Sequence, residues 1–211
     1  MTDAALRLRS RPEGIEVLRG PQGVLFGRNV TGGAVLLRTK SPGDTFEMSG
    51  RVAGETGPNY IADVSISGPL LEGVLAGKLA VYHNDDAGSF TNRFDGSGFG
   101  ESRQTIVRPA LRWTPTEQLE VILRLEHGEA DGDGPAGQNH ALFARDSFDL
   151  SIDEKGFYDS EWNQAFLEAN LAVGFGDGTI TNILGWRKYE STGLGDIDST
   201  PCAVFSRAVR D

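Results

Sequence analysis

The sequence predicts a mainly β protein in which about seven strands form one antiparallel, up-and-down sheet. Three observations predict it. From Phe46 onward, polar and apolar residues alternate with the period of two that a strand with two unlike faces requires. The connections between the alternating segments sort themselves into short and long by turns. The hydrophobic content is only 38 %, and no apolar run approaches the roughly 18 residues of a membrane-spanning helix, so any apolar surface must be spread one-sidedly over strands.

The chain begins with a separate glycine-laced stretch. Ile15, Val17 and Leu18 precede Gly20-Pro21, and Ala34-Val35-Leu36-Leu37 follow Gly32-Gly33, which reads as strand, turns, strand. Gly20, Gly23, Gly27, Gly32 and Gly33 lie so close together that backbone there is expected to need positive φ or the close approach of another segment. A phosphate-binding loop fails on spacing. Gly27 is followed by Arg28-Asn29 rather than Lys-Ser or Lys-Thr, and no amphipathic helix comes after it.

The first alternating segment sets Phe46, Met48, Gly50 and Val52 against Glu47, Ser49, Arg51 and Ala53. A turn sequence, Glu55-Thr56-Gly57-Pro58-Asn59, leads to the second, where Tyr60, Ala62, Val64 and Ile66 oppose Ile61, Asp63, Ser65 and Ser67. A third segment covers about Val74 to Asn84. In the fourth, about Arg103 to Trp113, Thr105, Val107, Leu111 and Trp113 face one way and Arg108, Ala110 and Arg112 the other. Thr114-Pro115-Thr116-Glu117 turns into the fifth, the cleanest of all, with Leu119, Val121, Leu123 and Leu125 opposite Glu120, Ile122, Arg124 and Glu126. A sixth (about Trp162 to Gly174) and a seventh (about Thr179 to Glu190) are joined by Phe175-Gly176-Asp177-Gly178.

Between these, Asp85 to Glu101, the acidic His127 to Glu161, and Ser191 to Asp211 are long connections. An up-and-down membrane barrel has tight turns on one side and longer loops on the other, whereas a soluble meander has no reason to sort them. On a sandwich the leucine face would meet a second sheet; on a barrel it would meet lipid while the charged face lines a wet lumen.

Composition and motifs exclude other classes. A net charge of -10 argues against a nucleic-acid partner, which needs clustered Lys and Arg; Arg7, Arg9 and Arg11 are too short a run. Glu129-x-Asp131-Gly-Asp133-Gly lacks the twelfth-position glutamate of an EF-hand. His83, His127 and His140 are too scattered for zinc, and no Gly-x-Ser-x-Gly elbow appears. No catalytic residue, metal ligand or cofactor is expected. The single Cys202 forms no internal disulfide.

The stretch from Ile15 to Pro42, Ile-Glu-Val-Leu-Arg-Gly-Pro-Gln-Gly-Val-Leu-Phe-Gly followed by Gly32-Gly33 and Thr39-Lys40-Ser41-Pro42, resembles the end of the plug domain of TonB-dependent outer-membrane receptors. The resemblance is specific in spacing over nearly thirty residues. It implies a plug lodged in a 22-stranded barrel, an architecture known for outer-membrane transporters. Residues 1–42 would then be the C-terminal part of the plug and 43–211 the first part of the barrel, about a third of the wall. The TonB-contacting box and the later strands would lie outside this sequence. The plug motif comprises Arg19, Gly20, Pro21, Gly23, Gly27, Gly32 and Gly33, and by resemblance Arg19 contacts the barrel. With the first strand entered from the periplasm, the long loops fall outside the cell, Trp113 sits at the periplasmic interface, and Trp186 or Tyr189 near the outer one.

The resemblance also implies a function without covalent chemistry. The parent would bind a scarce ligand, a siderophore-iron complex, cobalamin or an oligosaccharide, and import it across the outer membrane with energy transmitted by TonB. Its partners would be TonB, outer-membrane lipid and the ligand. The competing expectation is a soluble or surface β-domain that binds protein or glycan; a hydrolase has no motif support.

Overall fold

A computed structural model describes residues 12–21, 23, 31–57, 59–202 and 206–210. Gly27 and the basic run Arg7, Arg9 and Arg11 lie outside the described residues. The opening stretch forms a two-stranded antiparallel sheet, β1 (Pro12–Arg19) with β2 (Gly33–Thr39), in which Arg19 stands opposite Gly33 and Val17 opposite Val35.

The rest is one eight-stranded sheet. It contains β3 (Glu47–Glu55), β4 (Asn59–Leu71), β5 (Leu75–Asp86), β8 (Ser102–Thr116), β9 (Leu119–Gly132), β11 (Phe157–Val173), β12 (Gly178–Asp196) and β13 (Ser206–Arg210). Each main strand lies beside its neighbour in sequence, and every pair is antiparallel, so the sheet is an up-and-down meander. The seven expected segments are all present. β13 is an eighth, because the last stretch is not wholly a connection: it turns back and pairs Thr192 with Arg210.

The connections keep the sorted pattern. From β4 onward, the short turns 72–74, 117–118 and 174–177 fall at one end, and the long connections that begin at residues 87, 133 and 197 at the other. The turn after β11 uses Gly176 (φ 69°) and Asp177 (φ 50°), conformations that a β-branched residue would resist.

Strict period-two alternation gives the sheet two chemically different faces. Rows run across strands: Leu111, Leu123, Leu167 and Leu184 form one row of the outer face, and Leu79, Pro109, Leu125, Ala165 and Trp186 lie in the next. This face has no protein cover among the described residues; Val52 is 82 % exposed and Leu184 59 %. A sandwich would bury it, so the second-sheet expectation is not met. Along β9 the apolar outer positions Leu119 to Leu125 span about 20 Å at the rise of a strand. Beyond them the same face turns charged, with Arg103 3.0 Å from Glu101 and 3.3 Å from Asp131.

That change explains why the strands overrun their expected ends. β9, β11 and β12 continue into residues whose outward side chains are polar (Glu129, Asp131, Asp159, Glu161 and Glu190), where apolar alternation no longer marks the strand. Trp113 stands on the outer face at the short-turn end, beside Leu75 and Val121, and Trp186 stands outward next to the charged rows. Tyr189 does not. Three residues on from Trp186, it has the opposite phase, faces inward and directs its hydroxyl to Ser160 Oγ at 3.3 Å.

The densest apolar cluster is in the loops rather than the sheet. β6 (Phe90–Asn92), β7 (Gly98–Phe99) and β10 (Asp149–Leu150) form a three-stranded sheet that ties loop 87–101 to loop 133–156. Phe99, Leu150 and Ile152 are buried, and Phe90 and Ala136 pack on them.

Candidate functional site: the inner face and its strap

The inner face carries what the outer one lacks. Lys78 of β5, Arg108 and Arg112 of β8, Arg124 and Glu126 of β9, and Gln164 and Glu168 of β11 all share the inward phase. Charges are costly to bury alone, and here each is offset. Arg108 pairs with Glu126, both mostly buried, and Arg124 lies 3.0 Å from Glu168. Glu126 also accepts from Trp162 Nε1 at 2.7 Å and Gln164 Nε2 at 2.6 Å. Pro109 has no N–H to give, and the β8–β9 ladder lacks a bridge at Arg108 and Pro109, the level at which Arg108 meets Glu126.

Residues 39–44, leaving β2 toward β3, cross this face as a strap. Lys78 Nζ donates to the Lys40 carbonyl at 2.9 Å, Arg124 Nη2 to Ser41 Oγ at 3.0 Å, and Arg112 to the Asp44 carboxylate. Lys40 Nζ reaches Glu47 at 2.7 Å, and Pro42, within the strap, is fully buried. Beside it lies a cleft of 680 Å3 lined by Lys40, Ser41, Lys78, Arg108, Arg124 and Glu168 among others.

The plug-motif residues sit apart from this cluster. Gly20 has φ 83°, and Gly33 has φ 140° with a Cβ position that would overlap the Leu18 carbonyl, so both need glycine. Gly23 and Gly32 do not: each faces open space with no left-handed φ, which corrects the expectation that the whole string is constrained. Pro21 is exposed. Arg19 ends β1 on an exposed position, its backbone paired with Gly33. Sequence reasoning did not single out Lys78, Arg108, Arg112, Arg124, Glu126 and Glu168. The available signal was charge recurring at alternate positions, as in Arg108 with Arg112 and Arg124 with Glu126.

The loop unit at the opposite end is held by polar contacts as well as by its core. Asn92, buried, donates to the Ile152 carbonyl at 2.9 Å and accepts from the N–H groups of Ile152 (3.1 Å) and Phe94 (3.2 Å). Asp133 accepts from Gly100 N (2.8 Å) and Glu101 N (3.0 Å) and lies 3.0 Å from Lys155. At the tip, the backbone N–H of Ser97 and then its hydroxyl hold the Asp95 carboxyl below the usual carboxylate range.

Comparison with known proteins fits this geometry. No protein-family model matches the chain. The pesticin receptor of Yersinia pestis is 32 % identical over 109 residues, 50 % of this chain and 16 % of the receptor. The ferrioxamine receptor of Yersinia enterocolitica is 26 % identical over 151 residues, 72 % of this chain and 20 % of the receptor. Among solved structures, the ferric yersiniabactin uptake receptor FyuA from Yersinia pestis superposes with a TM-score of 0.74 at 23 % identity, over 85 % of this chain and 29 % of its own. These likenesses support reading the chain as a fragment of a TonB-dependent receptor. A second solved structure, the ferripyoverdine receptor of the outer membrane of Pseudomonas aeruginosa, matches 93 % of this chain and 27 % of its own with a TM-score of 0.72 at 17 % identity. The chain thus spans less than a third of each of these proteins. The two-stranded β1–β2 element, the strap and the eight-stranded sheet are the parts at hand, and the curated relatives bear the names of receptors.

Proposed function

We propose that this chain is the plug exit and first third of the wall of an outer-membrane receptor that imports a ferric siderophore with energy supplied through TonB. Residues 1–42 serve as the end of the plug and 43–211 as wall. The observation that carries this reading is the two-faced sheet with its strap. An uncovered apolar face suits lipid, and a charged inner face suits a wet lumen in which a plug is tethered. The row of unpaired backbone at β3 is tolerable in hydrocarbon only when further strands pair with it, since each orphaned N–H or C=O costs several kcal/mol. Arg19 adds a plug-to-wall contact through strands beyond this chain.

Siderophore iron ranks above cobalamin and oligosaccharide because relatives bear the names ferrioxamine receptor and ferric yersiniabactin uptake receptor. Selectivity rests with the loop unit of β6, β7 and β10, a folded surface at the long-loop end. The test is uptake of radiolabelled ferrioxamine and ferric yersiniabactin by cells whose only such receptor carries this chain. Accumulation that requires TonB, and that falls at least tenfold with Arg19→Ala combined with removal of the strap contacts, is the expected result. Uptake of neither complex, or uptake unchanged without TonB, counts against the reading.

A further inference from the structure

The strap does more than connect two elements: apart from Lys40, whose Nζ meets Glu47 of β3, the groups it presents to the wall are oxygen acceptors and the groups that meet them are cations. We propose that Lys78, Arg112 and Arg124 form a binding station for carboxylate-bearing anions on the inner wall, kept occupied in this state by the strap's own oxygens. A peptide carbonyl (Lys40), a hydroxyl (Ser41) and a carboxylate (Asp44) are each held by a cation from a different strand, β5, β9 and β8. That is how a small polyanion would be gripped.

The wall cancels these charges only in part, since Glu47 of β3 acts on Lys78 but no wall carboxylate bonds Arg112 among the described residues. Arg108 keeps Glu126 and Arg124 keeps Glu168 whether or not the strap is in place. The hydrogen bonds of Lys78 and Arg112 to side chain or backbone go to the strap alone among the described residues, and the buried Nε of Arg112 has no hydrogen-bond partner. Lifting the strap therefore leaves Arg112 without its carboxylate and Lys78 offset only by Glu47, with Lys78 and Arg124 lining a cleft of 680 Å3. A charged group deprived of its partner in a partly desolvated site recruits another anion. Asp44 is in this sense an internal ligand, and the chemistry it imitates is a carboxylate. The inference concerns the wall and its strap; it does not depend on which complex is imported.

The experiment uses the intact receptor in detergent at low ionic strength, with citrate as the probe and calorimetry as the readout. Asp44→Ala with Ser41→Ala removes two of the station's three internal ligands without touching its cations, and citrate is expected to bind at least tenfold more tightly than to the unaltered receptor. Adding Arg112→Gln or Lys78→Gln abolishes the gain, whereas Arg112→Lys, which keeps the charge, retains most of it and shows that the fold is not at fault. Equal citrate affinity with and without the strap oxygens, or a gain that survives both glutamine substitutions, overturns the proposal.

Discussion

Trp162 of β11 fills the space that Gly128 of β9 leaves by having no side chain, and its indole N–H donates to Glu126 at 2.7 Å. The two residues are directly opposed across the strands, so a Cβ at position 128 would overlap the ring. Gly128→Ala is expected to lower the stability of the receptor by about 1–3 kcal/mol, the usual cost of overpacking. A denaturant titration in detergent measures it, and Trp162→Leu added to Gly128→Ala should recover part of the loss. A Gly128→Ala receptor as stable as the parent would show that the ring moves aside freely.

Glu126 gathers three donors, from Arg108, Trp162 and Gln164. Glu126→Ala strands the mostly buried Arg108 guanidinium and should cost about 3–5 kcal/mol. Arg108→Met with Glu126→Leu removes both charges together and should cost much less. The same unfolding measurement on the two variants separates an uncompensated charge from lost packing.

Asn92→Ala should loosen two loops at once. It leaves the backbone groups of Ile152 without their partner in a site where Ile152 itself is wholly buried. An unsatisfied buried group costs about 1–3 kcal/mol. Hydrogen exchange is expected to accelerate in both 90–99 and 148–152 while β8 and β9 stay protected. Acceleration confined to 90–99 would mean that the loops are not one unit.

The Asp95 carboxyl should titrate below an ordinary aspartate because Ser97 donates to its charged form. A folded-state pKa that is depressed contributes stability above the unfolded pKa and loses it as the pH falls through the folded one. The turn at 95–97 is therefore expected to tighten above that range and loosen on acidification. Ser97→Ala should move the carboxyl up toward its usual value, which a side-chain NMR titration would detect.

Leu123→Arg tests which face meets lipid. At mid-height of the apolar face, an arginine is expected to cost about 2–4 kcal/mol in a bilayer and to reduce the heat-resistant folded fraction in outer-membrane preparations. Glu120→Arg, one strand phase away on the inner face, should assemble far better. Equal assembly of the two would remove the membrane from the account.

Much of this was readable in the residues because a sheet with two unlike faces writes its period directly into the chain. Leu119, Val121, Leu123 and Leu125 announced both a strand and its orientation, and the structure places them together on the uncovered face. The signal fades where that face becomes polar, so apolar alternation marks neither the ends of β9, β11 and β12 nor the short β13. The inner lattice was legible only as a charged phase. Which arginine meets which glutamate depends on register, as in Arg124 opposite Phe166 yet bonded to Glu168. The parallel pairing of β6 with β10 joins segments nearly sixty residues apart and leaves no local trace.

The strap's attachments have a mechanical consequence. Besides the Lys40–Glu47 pair on β3, the strand the strap leads into, three of them fall on β5, β8 and β9. A pull on the β1–β2 hairpin is thus shared in parallel among three anchors and carried sideways into the middle of the meander, so the terminal ladder is spared from unzipping one rung at a time.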